Sequence, residues 1–190
     1  MLFYGEFEDF KIGITKNPQE VFLPKQIHSN VVVYIKGFTE NVEADGVITD
    51  KINFKIGIKT ADCVPIILKS KNFVGAIHAG WRGLYNGILK NAFLLFESFS
   101  EKPYFAFIGP SAKECCYEVG PEFKDYFKSL KVVDNKLFFD TQKEAINQLK
   151  ALNKDIKLLV YETCSICNKE IPSYRRDKTK ERIVVFVEKV

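Results

Sequence analysis

The residues with the clearest chemical potential are two histidines and a cysteine. His28 and His78 are the only histidines in a chain of 190 residues, and Cys63 lies between them in the sequence. His28 precedes a predicted strand, Cys63 opens another, and His78 ends a third. Two imidazoles and one thiolate form a three-ligand set for Zn²⁺ with its fourth position open, as in catalytic zinc sites. A metal held this way could activate a water molecule or polarise a substrate oxygen.

The same residues fit other chemistry. Cys63 could be a nucleophile with His78 as its base, as in a cysteine hydrolase or deamidase, although His28 would then have no role. All three could also be ordinary core or surface residues, because three ligands without a tight local pattern form a weak motif. Asp45 and Asp62 could orient a ligand histidine or accept a proton, and each could equally cap a turn.

The segment after His78 could bind an anion. It runs from a predicted strand through Gly80-Trp81-Arg82-Gly83 into a predicted helix, so backbone N–H groups, the helix N-terminus and the Arg82 guanidinium could converge on a phosphate. Arg175 and Arg176 are a second cationic candidate. The alternatives are a solvated Arg82 and an ordinary salt bridge with Asp177.

Composition and charge narrow the class of protein. Apolar residues make up 46% of the chain, enough for one sizeable core, which excludes a disordered or fibrous chain. Lys and Arg number 28 against 24 Asp and Glu, which leaves a net charge of only +4. This charge lacks the concentrated positive field of nucleic-acid-binding proteins, so we expect no nucleic-acid partner.

The apolar runs and the cysteines predict a cytoplasmic protein. Acidic residues from Glu6 to Asp9 stand where a secretory signal would have a basic segment. The longest apolar runs, 63–68 and 73–79, have the length of buried strands and not of membrane spans. Five cysteines are an odd count that does not favour a disulfide framework and fits a reducing compartment. We expect a soluble monomer or small homo-oligomer without a membrane partner.

Hydrophobic periodicity predicts nine strands and three helices. The helices cover about Leu84–Ser98, Pro121–Leu130 and Thr141–Leu152, the last opening on a capping box, Thr141-Gln142-Lys143-Glu144. No repeat or linker divides the chain, so residues 1–190 are expected to form one domain. The order of elements predicts an α+β fold with mixed β-sheet packed against helices. The predicted strands are Lys11–Thr15, Val31–Ile35, Gly46–Thr49, Lys55–Lys59, Val64–Leu68, Phe73–His78, Phe105–Ile108, Leu137–Phe139 and Ile183–Glu188.

Cys164-Ser165-Ile166-Cys167 has the spacing of a zinc knuckle or a thioredoxin motif. There is no second CxxC, and the adjacent Cys115 and Cys116 are a poor complement because neighbours in a strand point to opposite faces. We therefore interpret the pair as mainly structural, with a second metal site or a regulatory disulfide as the alternatives.

Seven short motifs in a fixed order resemble the multicopper-oxidase-like laccase-domain family of bacterial YfiH-type proteins over residues 26–182. The motifs are Gln26-Ile27-His28-Ser29, Ala44-Asp45-Gly46-Val47-Ile48-Thr49, Ala61-Asp62-Cys63-Val64-Pro65-Ile66, His78-Ala79-Gly80-Trp81-Arg82-Gly83, Ile108-Gly109-Pro110, Cys116-Tyr117-Glu118-Val119-Gly120 and Ser173-Tyr174-Arg175-Arg176-Asp177.

The resemblance implies a surface Zn²⁺ held by His28, Cys63 and His78, with Cu²⁺ as the alternative metal. It implies phosphorolysis of adenosine, inosine, guanosine and methylthioadenosine, with adenosine deaminase activity, so the expected partners are purine nucleosides and phosphate. It also makes a substrate-facing role for Arg175 or Arg176 plausible. A copper-dependent polyphenol oxidase and a peptidoglycan-precursor editing factor are the other activities that the resemblance suggests.

Overall fold

Two β-sheets packed face to face form the centre of the protein, described here by a computed structural model of residues 1–190. In chain order the elements are β1 Phe3–Glu6, β2 Phe10–Thr15, β3 Val21–Phe22, β4 Val32–Tyr34, β5 Gly46–Thr49, β6 Phe54–Thr60, β7 Val64–Lys69, β8 Val74–Ala79, α1 Trp81–Tyr85, α2 Ile88–Ser98, β9 Phe105–Ile108, β10 Glu118–Val119, α3 Phe123–Tyr126, β11 Leu130–Val133, β12 Lys136–Phe139, α4 Thr141–Leu152, β13 Lys157–Val160, α5 Tyr174–Asp177 and β14 Ile183–Lys189.

Both large sheets are mixed. The five-stranded sheet has the order β1-β2-β14-β6-β3, in which only β3 runs parallel to its neighbour. The six-stranded sheet has the order β13-β9-β7-β8-β5-β4, with parallel pairs at both edges and antiparallel pairs between them. A third sheet of three strands, β10-β12-β11, is not hydrogen-bonded to either of them. This is the mixed α+β architecture that the order of elements predicted.

The six-stranded sheet is covered on both faces, and its central strand β7 shows why. Successive side chains of a strand point to opposite faces. Ile67 packs in a core between the two large sheets, whereas Ile66 and Leu68 pack in a second core beneath α2 and α4. Each of these residues is fully buried, and burial of such a side chain stabilises the fold by about 1.5–3 kcal/mol. An apolar strand buried on both sides makes a rigid base for residues at its ends.

The first helical region differs from its prediction. The helix expected over Leu84–Ser98 begins earlier, at Trp81, and breaks at Asn86-Gly87, where Gly87 has a left-handed φ of 79° before α2 starts. A residue without a Cβ adopts this conformation at little cost, so the glycine permits the break. None of the helices combines the length and apolar composition needed to cross a membrane.

Two later predictions are also corrected. The helix expected over Pro121–Leu130 is only the short α3, and α4 is capped by Asp140 rather than by Thr141. The expectation that Cys115 and Cys116 diverge along a strand is wrong. They lie in a turn before β10, and Cys116 is joined to Cys167 as a disulfide.

Candidate metal centre and active-site cavity

Three chain segments bring His28, Cys63 and His78 to one edge of the six-stranded sheet. Antiparallel pairing of β7 with β8 sets Val64 opposite Ala79 and Pro65 opposite His78, so Cys63, just before β7, lies beside the end of β8. This is the placement that neighbouring strand ends predicted. His28 arrives from the loop between β3 and β4, and its ring centroid lies 5.0 Å from that of His78.

The three side chains offer donor atoms that fit a zinc ion. One ring nitrogen from each histidine and the Cys63 Sγ all lie within 4.8 Å of one another. Donors sharing one tetrahedral Zn²⁺, at bond lengths of about 2.0–2.3 Å, are about 3.4–3.6 Å apart. Small side-chain adjustments therefore suffice to bring all three onto one ion, with a fourth position free.

A fully buried carboxylate, Asp45, orients both histidines. Its Oδ1 accepts a hydrogen bond from the Nδ1 of His78 at 2.8 Å, which leaves the Nε2 of that ring to face the other ligands. The same carboxylate accepts the backbone N–H groups of Ile27, His28 and Ser29 at 2.7–3.2 Å and the Ser29 hydroxyl at 2.7 Å. These bonds hold His28 in a left-handed conformation, with φ 58°. Asp45 is thus a positioning residue for two of the three donors.

Opposite charges in the site stabilise one another. Burial would raise the pKa of Cys63, but the charge of His78 and hydrogen bonds with His28 and His78 lower that pKa to about 6. Burial would lower the pKa of His78, but the Cys63 thiolate and Asp45 raise it to about 9. Burial would raise the pKa of Asp45, and hydrogen bonds from His78 and Ser29 lower it to about 2. Cys63 is therefore a thiolate at neutral pH, the form that binds metals.

Gly80, at the turn after β8, leaves room for the donor set. A Cβ at this position would lie 2.9 Å from the Cys63 Sγ and 3.7 Å from the Cδ2 of His28. A methyl group there would displace the sulfur, so the glycine is required by close approach and not by its φ of −76°.

The donor set lies in a cavity of about 750 Å³, within the usual size range of small-molecule sites. Its charge is strongly asymmetric, because six basic side chains line it and Asp62 is the one acidic residue among them. The basic residues are Lys25, Lys59, Arg82, Arg175, Lys178 and Arg182. Lys25 pairs with Glu43 at 2.6 Å, and the other five form no salt bridge, so positive charge is available where an anionic substrate would enter.

The three arginines singled out in the sequence have different positions. Arg82 lines the cavity and stacks over the Trp81 ring at 4.6 Å. Arg175 also lines it, stacks over Tyr117 at 4.7 Å and donates to the carbonyl of Glu118 at 2.7 Å. Arg176 lies outside the lining, where it pairs with Asp177 at 2.7 Å and donates to four backbone carbonyls between Ser165 and Ile171. Its guanidinium therefore holds the chain together instead of facing a ligand.

The anion cradle expected at the start of the first helix takes a different form. The α1 helix has only five residues, so its dipole is weaker than that of a long helix. Positive charge in the cavity comes from side chains of several elements instead. The sequence showed these cations only as scattered lysines and arginines, because their convergence depends on tertiary structure.

Three aromatic residues of the cavity were not singled out as functional by sequence reasoning. Trp81, Tyr117 and Tyr174 all line it, although each lies in one of the seven motifs. Burial and the negative charges of Cys63 and Asp62 raise the pKa of Tyr117 to about 12, against the opposing effect of nearby Arg175. Tyr117 therefore keeps its hydroxyl proton at neutral pH and can donate a hydrogen bond.

Asp62 has a structural task in the wall of the cavity. Its carboxylate accepts a hydrogen bond from the Ser165 hydroxyl at 2.6 Å and from the Arg175 backbone N–H at 2.7 Å. It thereby ties the segment before β7 to the chain around α5.

Sequence comparison places the chain in a known family. The family model described as multi-copper polyphenol oxidoreductase laccase matches residues 9–188. The chain belongs to this laccase-like family. The family match and the fold both agree with the resemblance seen in the seven motifs.

Curated relatives of this laccase-like chain are named as enzymes. A purine nucleoside phosphorylase of Aquifex aeolicus is 49% identical over 171 residues, which are 89% of this chain and 82% of the relative. Purine nucleoside phosphorylase CA_C1699 of Clostridium acetobutylicum is 35% identical, over 90% of this chain and 78% of the relative. These names support an enzyme.

A solved structure has the same fold. Neisseria meningitidis protein NMB0706, assigned to family DUF152, superposes with a TM-score of 0.77 at 26% identity. The match covers 89% of this chain and 74% of that protein. The laccase-like chain therefore shares its mixed-sheet architecture with a crystallographically characterised relative.

Proposed function

We propose that the chain is a zinc-dependent purine nucleoside phosphorylase whose active site is the cavity around His28, Cys63 and His78. The main observation behind this proposal is that three metal donors lie in one cavity, which basic and aromatic side chains line. Names of the relatives point to the same reaction class.

In this proposal His28, Cys63 and His78 hold the metal through two nitrogens and a sulfur. When bound, the ion supplies a Lewis acid that polarises a substrate oxygen or a water molecule. Zinc is favoured because one thiolate and two imidazoles suit it, and the open position is typical of its catalytic sites. Cu²⁺ would bind the same donors, so metal analysis of the purified protein is part of the test.

Phosphorolysis requires a phosphate held against C1′ of the ribose. A phosphate oxygen forms the new bond to C1′ while the glycosidic C–N bond breaks; the electron pair of that bond stays with the purine, which takes up a proton from the phosphate monoanion or from water. Arg82, Arg175 and Lys59 can bind the phosphate, and the exposed ring of Tyr174 can contact the base. The protonated Tyr117 hydroxyl can donate a hydrogen bond to the substrate.

Adenosine deamination is a second activity that the same site supports. Attack on C6 of adenine needs an activated water, which a zinc ion held by His28, Cys63 and His78 would supply. A multicopper oxidase is less well supported, because such an enzyme needs more ligands than two histidines provide. A Cys63/His78 hydrolase is also less well supported. Asp45 positions His28 beside the pair, and His28 would have no task in that mechanism.

Incubation of the purified zinc-loaded protein with adenosine, with and without phosphate, tests the proposal. Liquid chromatography separates adenine, the product of phosphorolysis, from inosine, the product of deamination. We expect adenine and ribose 1-phosphate only when phosphate is present, and inosine in both conditions. Arg175→Ala should raise the KM for phosphate, whereas Lys150→Ala, on the exposed face of α4, should not.

Cys63→Ala should abolish both products together with the zinc of this site. Full turnover of adenosine by metal-free protein, lost after alkylation with iodoacetamide, would instead support the cysteine hydrolase. Turnover of phenols that depends on added copper, without any nucleoside turnover, would support the oxidase.

A further inference from the structure

We propose that Cys115, Cys116, Cys164 and Cys167 form a second metal site, in which one Zn²⁺ is held by four thiolates and joins two loops. The four Sγ atoms all lie within 4.8 Å of one another. With Cys63 in the first site, every cysteine of the chain then belongs to one of two metal-ligand sets.

Turns in the backbone explain why adjacent cysteines can face one ion. Cys115 and Cys116 lie in a turn in which the N–H groups of Cys116 and Tyr117 both donate to the carbonyl of Lys113, at 3.1 and 2.9 Å. Cys164 and Cys167 lie at the ends of a second turn, closed by the N–H of Asn168 on the carbonyl of Cys164 at 3.0 Å. In a turn, neighbouring side chains do not alternate between opposite faces as they do in a strand.

Backbone hydrogen bonds hold the two turns side by side. Ser111 and Cys164 form an isolated parallel bridge. In it the Ser111 N–H donates to the carbonyl of Thr163 at 3.2 Å and the Ser165 N–H donates to the carbonyl of Ser111 at 2.9 Å. The segments that carry the four sulfurs are therefore placed by the fold before any ion binds.

Four thiolates in this arrangement suit zinc. Structural zinc sites are tetrahedral, are often made of four cysteines, and commonly use a C-x-x-C pair. Two sulfurs on one zinc, at about 2.3 Å from the metal, are about 3.8 Å apart, and the Sγ atoms of Cys115 and Cys167 already lie 3.5 Å apart. The Cα atoms of Cys116 and Cys167 are 6.8 Å apart, at the wide end of the range for a disulfide.

A disulfide accounts for only half of this cluster. Joining Cys116 to Cys167 leaves Cys115 and Cys164 as free thiols beside it, whereas a zinc ion uses all four sulfurs. Zinc requires the reduced pair, which a thiol or phosphine reductant produces by supplying two electrons to the disulfide. The ion then binds four deprotonated sulfurs and releases their protons to solvent.

One cation, Arg176, lies beside this site, where it also pairs with Asp177. Zinc with four thiolates carries a net charge of −2. The Arg176 guanidinium lies against the C-x-x-C turn, where it donates to the carbonyls of Ser165, Ile166 and Asn168 at 2.9–3.1 Å. This position gives Arg176 a task next to the sulfurs, in place of the phosphate contact that the sequence suggested.

The proposed ion would also stabilise the wall of the cavity. Tyr117 follows Cys116 directly, and Arg175 stacks on it. Ser165, inside the C-x-x-C turn, donates to Asp62, which also accepts the Arg175 N–H. The metal site itself does not depend on which reaction the cavity performs.

Zinc content measures the site directly. The full chain is purified anaerobically with a phosphine reductant from zinc-supplemented cells, and zinc per chain is determined by mass spectrometry. We expect two zinc ions in the wild type, one in Cys164→Ser and one in Cys63→Ser. Cys115→Ser, which alters an exposed position, repeats the test if Cys164→Ser does not fold.

Cobalt provides a second readout that does not depend on activity. Cobalt-loaded Cys63→Ser protein should show the intense visible absorption of tetrahedral cobalt with several thiolates, and Cys63→Ser/Cys115→Ser should lose it. A zinc content in Cys115→Ser and Cys164→Ser equal to that of the reduced wild type, or no zinc in Cys63→Ser, would overturn the proposal. So would a Cys116–Cys167 disulfide that persists in the reduced protein without a second zinc.

Discussion

At the scale of single residues, Asp45 does most to determine the chemistry of the first site. One carboxylate oxygen faces His78 Nδ1 and the other accepts the Ser29 N–H. We predict that Asp45→Asn weakens zinc binding about 10–100-fold, because the new NH₂ group must face either a backbone donor or His78. In the latter position it would favour the tautomer that carries hydrogen on Nε2, which cannot bind metal.

Competition with a chromophoric chelator measures this affinity. Asp50→Asn is the matched control, since Asp50 is exposed and its carboxylate accepts only the Tyr34 hydroxyl. An Asp45→Asn protein with wild-type zinc affinity would show that the carboxylate does not position the donors.

Cys63 provides a prediction about pH. In metal-free, reduced protein its pKa is lowered to about 6, so the thiolate fraction, and with it the rate of alkylation by iodoacetamide, should rise through pH 6 and level off above it. Burial and a hydrogen bond with Cys164 raise the pKa of Cys115, so its alkylation should still increase above pH 9.

Peptide mapping by mass spectrometry follows each cysteine separately. His78→Ala should move the Cys63 midpoint upward, since it removes the charge that stabilises the thiolate. A Cys63 midpoint near 9 in the wild type would contradict the proposed charge pairing.

At the scale of elements, the sequence predicts the interior strands better than the edges. β6, β7 and β14 are long apolar or alternating runs, and burial specifies them strongly. The edge strands β1 and β13 were missed because they are four residues long with half-exposed patterns, which are weak signals. The break at Gly87 was missed because the apolar spacing continues across it. Clustering of the cysteines could not be predicted, since it depends on two turns that only the tertiary structure aligns.

The start of α4 illustrates how tertiary contacts decide between two local signals. Thr141 and Asp140 are both good capping residues, but the Thr141 hydroxyl donates to the carbonyl of Ala112 and is hydrogen-bonded to the Ser111 hydroxyl, each at 2.7 Å. Asp140 therefore caps the helix, and its carboxylate accepts the Lys143 N–H at 2.9 Å.

We predict that Asp140→Ala lowers the free energy of unfolding by about 1 kcal/mol, the usual loss for a removed N-cap. Urea denaturation measures the change. Asp155→Ala, at an exposed position beyond the end of α4, should change stability by less than about 0.5 kcal/mol. Equal losses in the two variants would argue against Asp140 as the cap.

At the scale of the whole molecule, the fold concentrates charge that the sequence disperses. The chain carries +4 overall, yet six basic side chains and one acidic side chain surround a single cavity. They come from segments far apart in the sequence, so composition cannot reveal a local anion site. It argues only against a nucleic-acid-binding surface.

This charge distribution predicts a salt effect on phosphate binding. Because the Debye length falls from about 10 Å at 0.1 M salt to about 3 Å at 1 M, the phosphate concentration that gives half-maximal thermal stabilisation should rise several-fold over that range. Lys59→Ala should raise it further at low salt. Lys55→Ala is the matched control, since both lysines lie on β6 and only Lys59 lines the cavity. The same phosphate response in both variants, or a response that does not change with salt, would show that phosphate does not bind among these cations.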